Sequence, residues 1–169
     1  MTEQLWAPWR LKYIEAAGKS SGCIFCSFAE QDISHDAANL IVYRGETAYI
    51  ILNAYPYSNG HLMVIPYRHT ATLEDYADSE MLEIMRLTRL GTRLLNLTFH
   101  PDACNLGVNM GRAAGAGIPD HLHWHIVPRW NGDTNFMTVL GEVRVIPESL
   151  EVVHQRLTAN LPAALAAQS

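Results

Sequence analysis

The sequence predicts an α+β domain: an antiparallel sheet, one long helix inserted among its strands and a second helix near the C-terminal end. Three observations carry this. Two strand-like runs, Leu40 to Tyr43 and Thr47 to Leu52, flank the short turn Arg44-Gly45-Glu46 and read as a hairpin. Residues 78 to 97 keep near-helical apolar spacing through Met81, Leu82, Met85, Leu87, Leu90, Leu94 and Leu97. From His121 to Pro128 the chain alternates, with imidazoles at 121, 123 and 125 and with Leu122, Trp124 and Ile126 between and after them. On a strand this puts three histidines on one face and an apolar row on the other.

Composition bounds the rest. At 169 residues, 49% hydrophobic and 17% charged, the chain reads as one domain able to bury a core, with an N-terminal arm (1–22), a core (23–130) and a C-terminal extension (131–169). Net charge is −5, from 12 Lys and Arg against 17 Asp and Glu, with no basic stripe, which argues against duplex nucleic acid as a main partner. No apolar run reaches the roughly 18 residues of a membrane span. Met1 to Trp6 lack a basic segment followed by an apolar one, so no signal peptide is expected and a cytoplasmic location is.

The elements follow in order. Leu5 to Ile14, with two tryptophans and Pro8, suggests an irregular arm anchored on the body or covering a substrate. Three cysteines in such a chain argue against a disulfide framework. Cys23-Ile24-Phe25-Cys26 follows the loop Gly18 to Gly22. A redox dithiol would want a strand before it and a helix opening at it, whereas a zinc knuckle takes two thiolates from such a turn; on its own the pair leaves zinc and neither role open. Residues 27–38 suggest a short helix or loop. After the hairpin comes a turn, Asn53 to Gly60, then a strand, His61 to Pro66, ending in Tyr67-Arg68-His69. Asp78 can cap the long helix, Glu80 favours its positive end, and Gly91 weakens it locally. Strands are expected at Ala103–Met110 and over the histidines, joined by Gly111 to Gly117. That glycine-rich loop is no dinucleotide fingerprint, lying between two strands; it is either a flexible hairpin or a backbone able to approach a phosphate. Glu148 to Leu161 reads as an amphipathic helix after Pro147, and the alanine-rich tail is expected to fray.

Three imidazoles in register are an unusual solvated face; solvated strands use Lys, Glu, Thr or Ser. Together they offer donors, acceptors, a nucleophile and metal ligands near neutral pH. A single metal held by all three strains the strand spacing of about 3.3 Å per residue.

The run His121-x-His123-x-His125-Ile126-Val127-Pro128 resembles the signature of the histidine triad family. Asn53 and Gly60 to His69 resemble that family's nucleoside-binding strand pair, and Asn109 falls where the family places a phosphate-contacting asparagine. The likeness spans roughly Cys23 to Trp130, and the flanks Leu5 to Ile14 and Arg129 to Phe136 resemble the bacterial branch with dinucleoside polyphosphate phosphorylases and hydrolases. It implies a five-stranded antiparallel sheet paired into a homodimer, and a nucleotidyl hydrolase or transferase acting at a nucleotide's α-phosphate. By position, His123 is the expected nucleophile, His125 and Asn109 contact the phosphate, His61 orients the triad and Asn53 binds the ribose hydroxyls. Zinc-carrying relatives have histidines at the positions of His69 and His121, so a structural zinc on Cys23, Cys26, His69 and His121 is expected, with no redox or organic cofactor. The Gln-Ser or Gln-Thr pair many members carry before the first histidine is replaced by Gly115 to Asp120, which weakens a phosphoramidase reading.

A neutral imidazole attacks phosphorus well if one ring nitrogen keeps its lone pair and the other donates, as to a backbone carbonyl. The acceptor, water or phosphate, and the base and polyphosphate length are not legible. A zinc-stabilised nucleotide-binding module without turnover is the alternative from another class.

Overall fold

The computed structural model describes residues 22–133 and 146–167. The predicted arm, apart from Gly22, and the flank beyond Asp133 lie outside the described residues. Helix α1 spans Ile24–Glu30. Strands β1 (Ile41–Arg44), β2 (Ala48–Leu52) and β3 (Leu62–Pro66) follow, then the 22-residue helix α2 (Asp78–Phe99). Strands β4 (Ala103–Val108) and β5 (Trp124–Arg129) and helix α3 (Leu150–Ala166) complete the described fold. The five strands form one antiparallel sheet in the order β1-β2-β3-β5-β4. The expected α+β architecture is what the chain adopts. No described helix is long and apolar enough to cross a membrane.

The alternation of the strands sorts the two faces. Ile50, Leu52, Leu62, Val64, Trp124 and Ile126 bury against Ile84, Leu87, Leu90 and Leu94 of α2 and Val153 and Leu157 of α3. Tyr49, Ile51, Met63 and Ile65 face the other way, under Phe25 of α1. Gly91 belongs to the packing. A Cβ there would lie 2.5 Å from Ile126 Cδ1, the tip of that side chain, so any larger residue would require Ile126 to shift.

Several expected boundaries move, for local reasons. The histidine run is not wholly strand. Pairing of β5 begins at Trp124, because Leu122 N–H donates to Thr70 O (2.8 Å) and the His121 ring turns to the end of β3. Strand β4 stops at Val108 rather than Met110. The Cys-x-x-Cys pair does not sit on a bare loop: Cys23 is the N-cap of α1 and Cys26 lies in its first turn. Ala77, not Asp78, caps α2, and Glu80 accepts the Ala77 N–H (2.9 Å) while pairing with Arg68. The tail does not fray at Leu161. Helix α3 starts at Leu150, capped by Ser149, and runs through Pro162 to Ala166, where the Ala164 carbonyl accepts from Arg93 on α2 (3.1 Å).

Candidate functional site

Strands β3 and β5 are antiparallel neighbours, with Val64 opposite Trp124, so the exit of β3 lies beside the entry of β5. That topology brings His69 and His121 together across 52 residues of sequence: their Nδ1 atoms are 3.2 Å apart. Helix α1, held on the second face, adds its thiols. Cys23 Sγ lies 3.2 Å from His121 Nδ1, and Cys26 Sγ lies 3.4 Å from His69 Nδ1 and 3.6 Å from His121 Nδ1. One ligand atom from each of the four residues falls within 4.8 Å of the other three. Zn–S near 2.3 Å and Zn–N near 2.0–2.1 Å imply tetrahedral edges of about 3.3–3.8 Å, so the four residues fit such an ion. The His121 Nε2–H donates to Pro66 O (2.9 Å), which leaves Nδ1 as the free lone pair a metal takes. Burial, and then the neighbouring Cys23, push the Cys26 thiol up from its ordinary range. A cation would relieve that opposition to ionising two thiols side by side.

Two residues that sequence reasoning passed over hold α1 in place. Arg44 ion-pairs with Asp36 (2.7 Å) and donates to Phe28 O (3.0 Å), Ala29 O (3.0 Å) and Gln31 O (3.2 Å) at the C-terminal end of α1. The Tyr49 hydroxyl donates to Phe25 O (3.0 Å). Phe25, between the two cysteines, packs edge-on against His121 and His123, with ring centroids 5.4 and 5.2 Å away. Its place in the Cys-x-x-Cys run was the only available hint.

His123 and His125 point to the same face, side by side, with ring centroids 4.9 Å apart, and both are buried. His123 Nδ1 lies 2.9 Å from the His121 carbonyl. A carbonyl only accepts, so Nδ1 carries the proton and Nε2 keeps its lone pair. Burial holds His123 below the ordinary histidine range, so the ring is neutral at pH 7. Burial and then the adjacent His123 pull His125 down to about 4. His61, fully buried just before β3, places Nε2 3.0 Å from His125 Nδ1. Tyr57, also missed by the sequence reading, lays its ring against both His61 and His125, at 4.7 and 5.7 Å. Asn53 faces His61 Nδ1 through Nδ2 (3.2 Å), and its side-chain oxygen accepts the Tyr55 N–H (2.9 Å). Asn109 is half-buried one residue past Val108, the last residue of β4 and the partner of Trp124. The structure thus gathers His61, His123 and His125 in one cluster and Cys23, Cys26, His69 and His121 in another. Asn53 borders the first, and the His121 carbonyl joins the two.

Residues 34–132 match the family model of the HIT domain. The chain belongs to the HIT family. Its HIT relatives include the AP-4-A phosphorylase of Mycobacterium tuberculosis, 41% identical over 153 residues that cover 88% of this chain and 78% of the relative. An adenosine 5'-monophosphoramidase of Schizosaccharomyces pombe is 28% identical over 141 residues, covering 82% of this chain and 98% of that protein. Among solved structures, a Zn-bound histidine triad family protein from Mycobacterium smegmatis superposes with a TM-score of 0.68 at 30% identity, covering 87% of this HIT chain and 98% of its own.

Proposed function

We propose that this HIT protein is a nucleotidyl hydrolase or phosphorylase that cleaves a dinucleoside polyphosphate at an α-phosphate through a covalent nucleotidyl-histidine on His123. The observation that carries this is the His123 ring: neutral, buried, with Nδ1–H bound to the His121 carbonyl and Nε2 left as a lone pair. Nε2 attacks the α-phosphorus, an N–P bond forms, and the bond to the bridging oxygen breaks to release a nucleoside polyphosphate. An acceptor oxygen then attacks the same phosphorus and restores the free imidazole. His125 and Asn109 are assigned to the non-bridging oxygens, whose charge they stabilise as donors, and Asn53 to the ribose side of the nucleotide. Similarity to the AP-4-A phosphorylase supports inorganic phosphate as the acceptor.

The Cys23, Cys26, His69 and His121 cluster is assigned to structural zinc, supported by its donor set and by the zinc in the M. smegmatis relative. Zinc there supplies stability. The catalytic ring belongs to His123, whose Nε2 is not part of the cluster. A second copy of the chain is the proposed partner. Leu82, Met85 and Leu97 of α2 and Leu106 and Met110 at β4 are all more than 40% exposed in the single chain.

The test is diadenosine tetraphosphate with and without inorganic phosphate, with products resolved. ADP formed only with phosphate present, alongside ATP, marks phosphorolysis; AMP and ATP in water mark hydrolysis. His123→Ala abolishes either reaction, a loss of at least about 1,000-fold, with nucleotide affinity retained. Turnover within tenfold of wild type in His123→Ala removes His123 as the nucleophile.

A further inference from the structure

We infer that Gly107 keeps open a phosphate subsite on the imidazole face of β4: a slot beside His125 that takes the phosphate next to the one under attack, first as part of the departing polyphosphate and then as inorganic phosphate. This deepens the function proposed above and rests on its assignment of Asn53 to the ribose side and of His123 to the attack on phosphorus. The slot itself rests on strand register and on the space around one glycine.

Gly107 is the only glycine inside a described strand. Glycine weakens a strand interior, so its presence calls for a reason. The backbone supplies none, since Gly107 is not among the glycines with positive φ. Packing supplies none either. A Cβ built on Gly107 meets no heavy atom within 4 Å, whereas at Gly60 and Gly91 it meets neighbouring side chains. What an added side chain would fill is the space beside His125, the partner of Gly107 across β4 and β5. Cross-strand partners share a face. Here it is the imidazole face, because Cys104 and Val108 of β4 pack into the core on the other. Leu106, proposed to meet a second copy, also points to that other face. His125 is 9% exposed, and its Nε2 has no partner among the described residues.

The line of the nucleotide across the sheet leads to this slot. The Asn53 N–H donates to the His61 carbonyl (2.8 Å), His61 Nε2 lies 3.0 Å from His125 Nδ1, and Gly107 pairs with His125 from β4. A nucleotide with its ribose at Asn53 and its α-phosphorus at the β5 histidines has its remaining phosphates over β4, one strand spacing of about 4.8 Å further on. Two residues along the same face of β4, Asn105 supplies donors. Arg129 Nη1 donates to its side-chain oxygen (3.1 Å) and is itself held by Asp133, so what Asn105 offers a ligand is its amide N–H pair. In-line displacement makes one slot serve both steps. His123 Nε2 attacks opposite the leaving oxygen. The N–P bond forms, and the bridging oxygen departs with the bonding pair, as nucleoside triphosphate when the substrate is a tetraphosphate. The acceptor enters along the line of that departure. An oxygen of hydrogen phosphate forms the new P–O bond, the N–P pair returns to Nε2, and the phosphate proton leaves with the nucleoside diphosphate. Holding phosphate at this point gives it the advantage of proximity over water.

The test is calorimetric binding of AMP and of diadenosine tetraphosphate to the full-length chain carrying His123→Ala, with and without Gly107→Val. The first change keeps the substrate intact, and valine suits an extended strand while filling the slot. AMP reaches only as far as the α-phosphate. Gly107→Val should weaken diadenosine tetraphosphate by about tenfold or more and hold AMP within about twofold. Its melting temperature should be no lower and its mass by light scattering unchanged. Asn105→Ala, which adds no bulk, should weaken the tetraphosphate by about threefold or more and spare AMP as well. With His123 intact, Gly107→Val should raise KM for inorganic phosphate by about tenfold or more and shift the product from ADP to AMP. Equal losses for the two ligands, no loss for either, or a loss accompanied by a changed mass overturns the slot. An unchanged KM for phosphate beside a weakened tetraphosphate overturns its role for the acceptor. If Gly107→Val does not fold, Gly107→Ala and Asn105→Ala decide. A wild-type chain that turns over no nucleotide refutes the proposed function, and the binding comparison then decides the slot alone.

Discussion

At the scale of the residue, burial rather than charge makes the histidines useful. His125 is pulled from 6.5 to about 4, so the native ring refuses a proton over a range in which the unfolded ring accepts one. The unfolded chain then binds more protons, and stability rises with pH in that window. The contribution is whole above pH 6.5 and is lost as the pH falls toward 4. The melting temperature should therefore decline between pH 6.5 and 4, and the decline should be smaller in His125→Asn, which has nothing to protonate there. Equal declines in the two proteins would remove His125 as a source of the effect.

At the scale of the element, α2 packs on β5 through Gly91. A Cβ at Gly91 would lie 2.5 Å from the tip of the Ile126 side chain, which is fully buried and adjacent to His125. Gly91→Val forces the Ile126 side chain, and with it the packing of α2 on β5, to shift beside the histidines proposed as catalytic. The expected cost is about 2 kcal/mol from overpacking, with a loss of turnover beyond what the folded fraction explains. Chemical denaturation and kcat of the folded protein check this; a variant as stable and as active as wild type would mean that the interface yields easily. The short helix α1 illustrates a different dependence. Seven residues cannot hold a helix by propensity, and Arg44, Asp36 and Tyr49 supply from outside what the sequence of α1 lacks.

At the scale of the molecule, the Cys23, Cys26, His69 and His121 cluster gathers α1, the exit of β3 and the entry of β5 beside His123. Stripping the proposed zinc, or Cys23→Ser, should lower the melting temperature by roughly 10 °C, a few kcal/mol for a domain of this size. Elemental analysis should find about one zinc per chain, lost in Cys23→Ser. Protein purified without chelator that carries no metal and melts like Cys23→Ser would disprove the assignment. The apolar groups exposed on α2 and β4 predict association. Light scattering at micromolar concentration should give twice the mass of the chain, 18.9 kDa; a monomeric mass would leave those faces without the proposed partner.

Much of this was legible in the sequence alone. Alternation from His121 to Ile126 separated an apolar face from an imidazole face, and that separation survives even though strand pairing begins only at Trp124. Local pattern sufficed because side-chain direction in extended chain depends only on the backbone. The Cys-x-x-Cys pair and the distant His69 and His121 were nameable as ligands only by likeness to a family, since spacing along the chain says nothing of distance across it. What the tertiary structure alone decided is which atoms meet. The adjacency of β3 and β5 sets His69 beside His121 and His61 beside His125. The fold also supplies backbone groups, the Pro66 and His121 carbonyls, that set which nitrogen of His121 and of His123 carries the proton. Backbone donors and acceptors are the same at every residue, so no sequence pattern marks the few that the fold brings within hydrogen-bond reach of a ring.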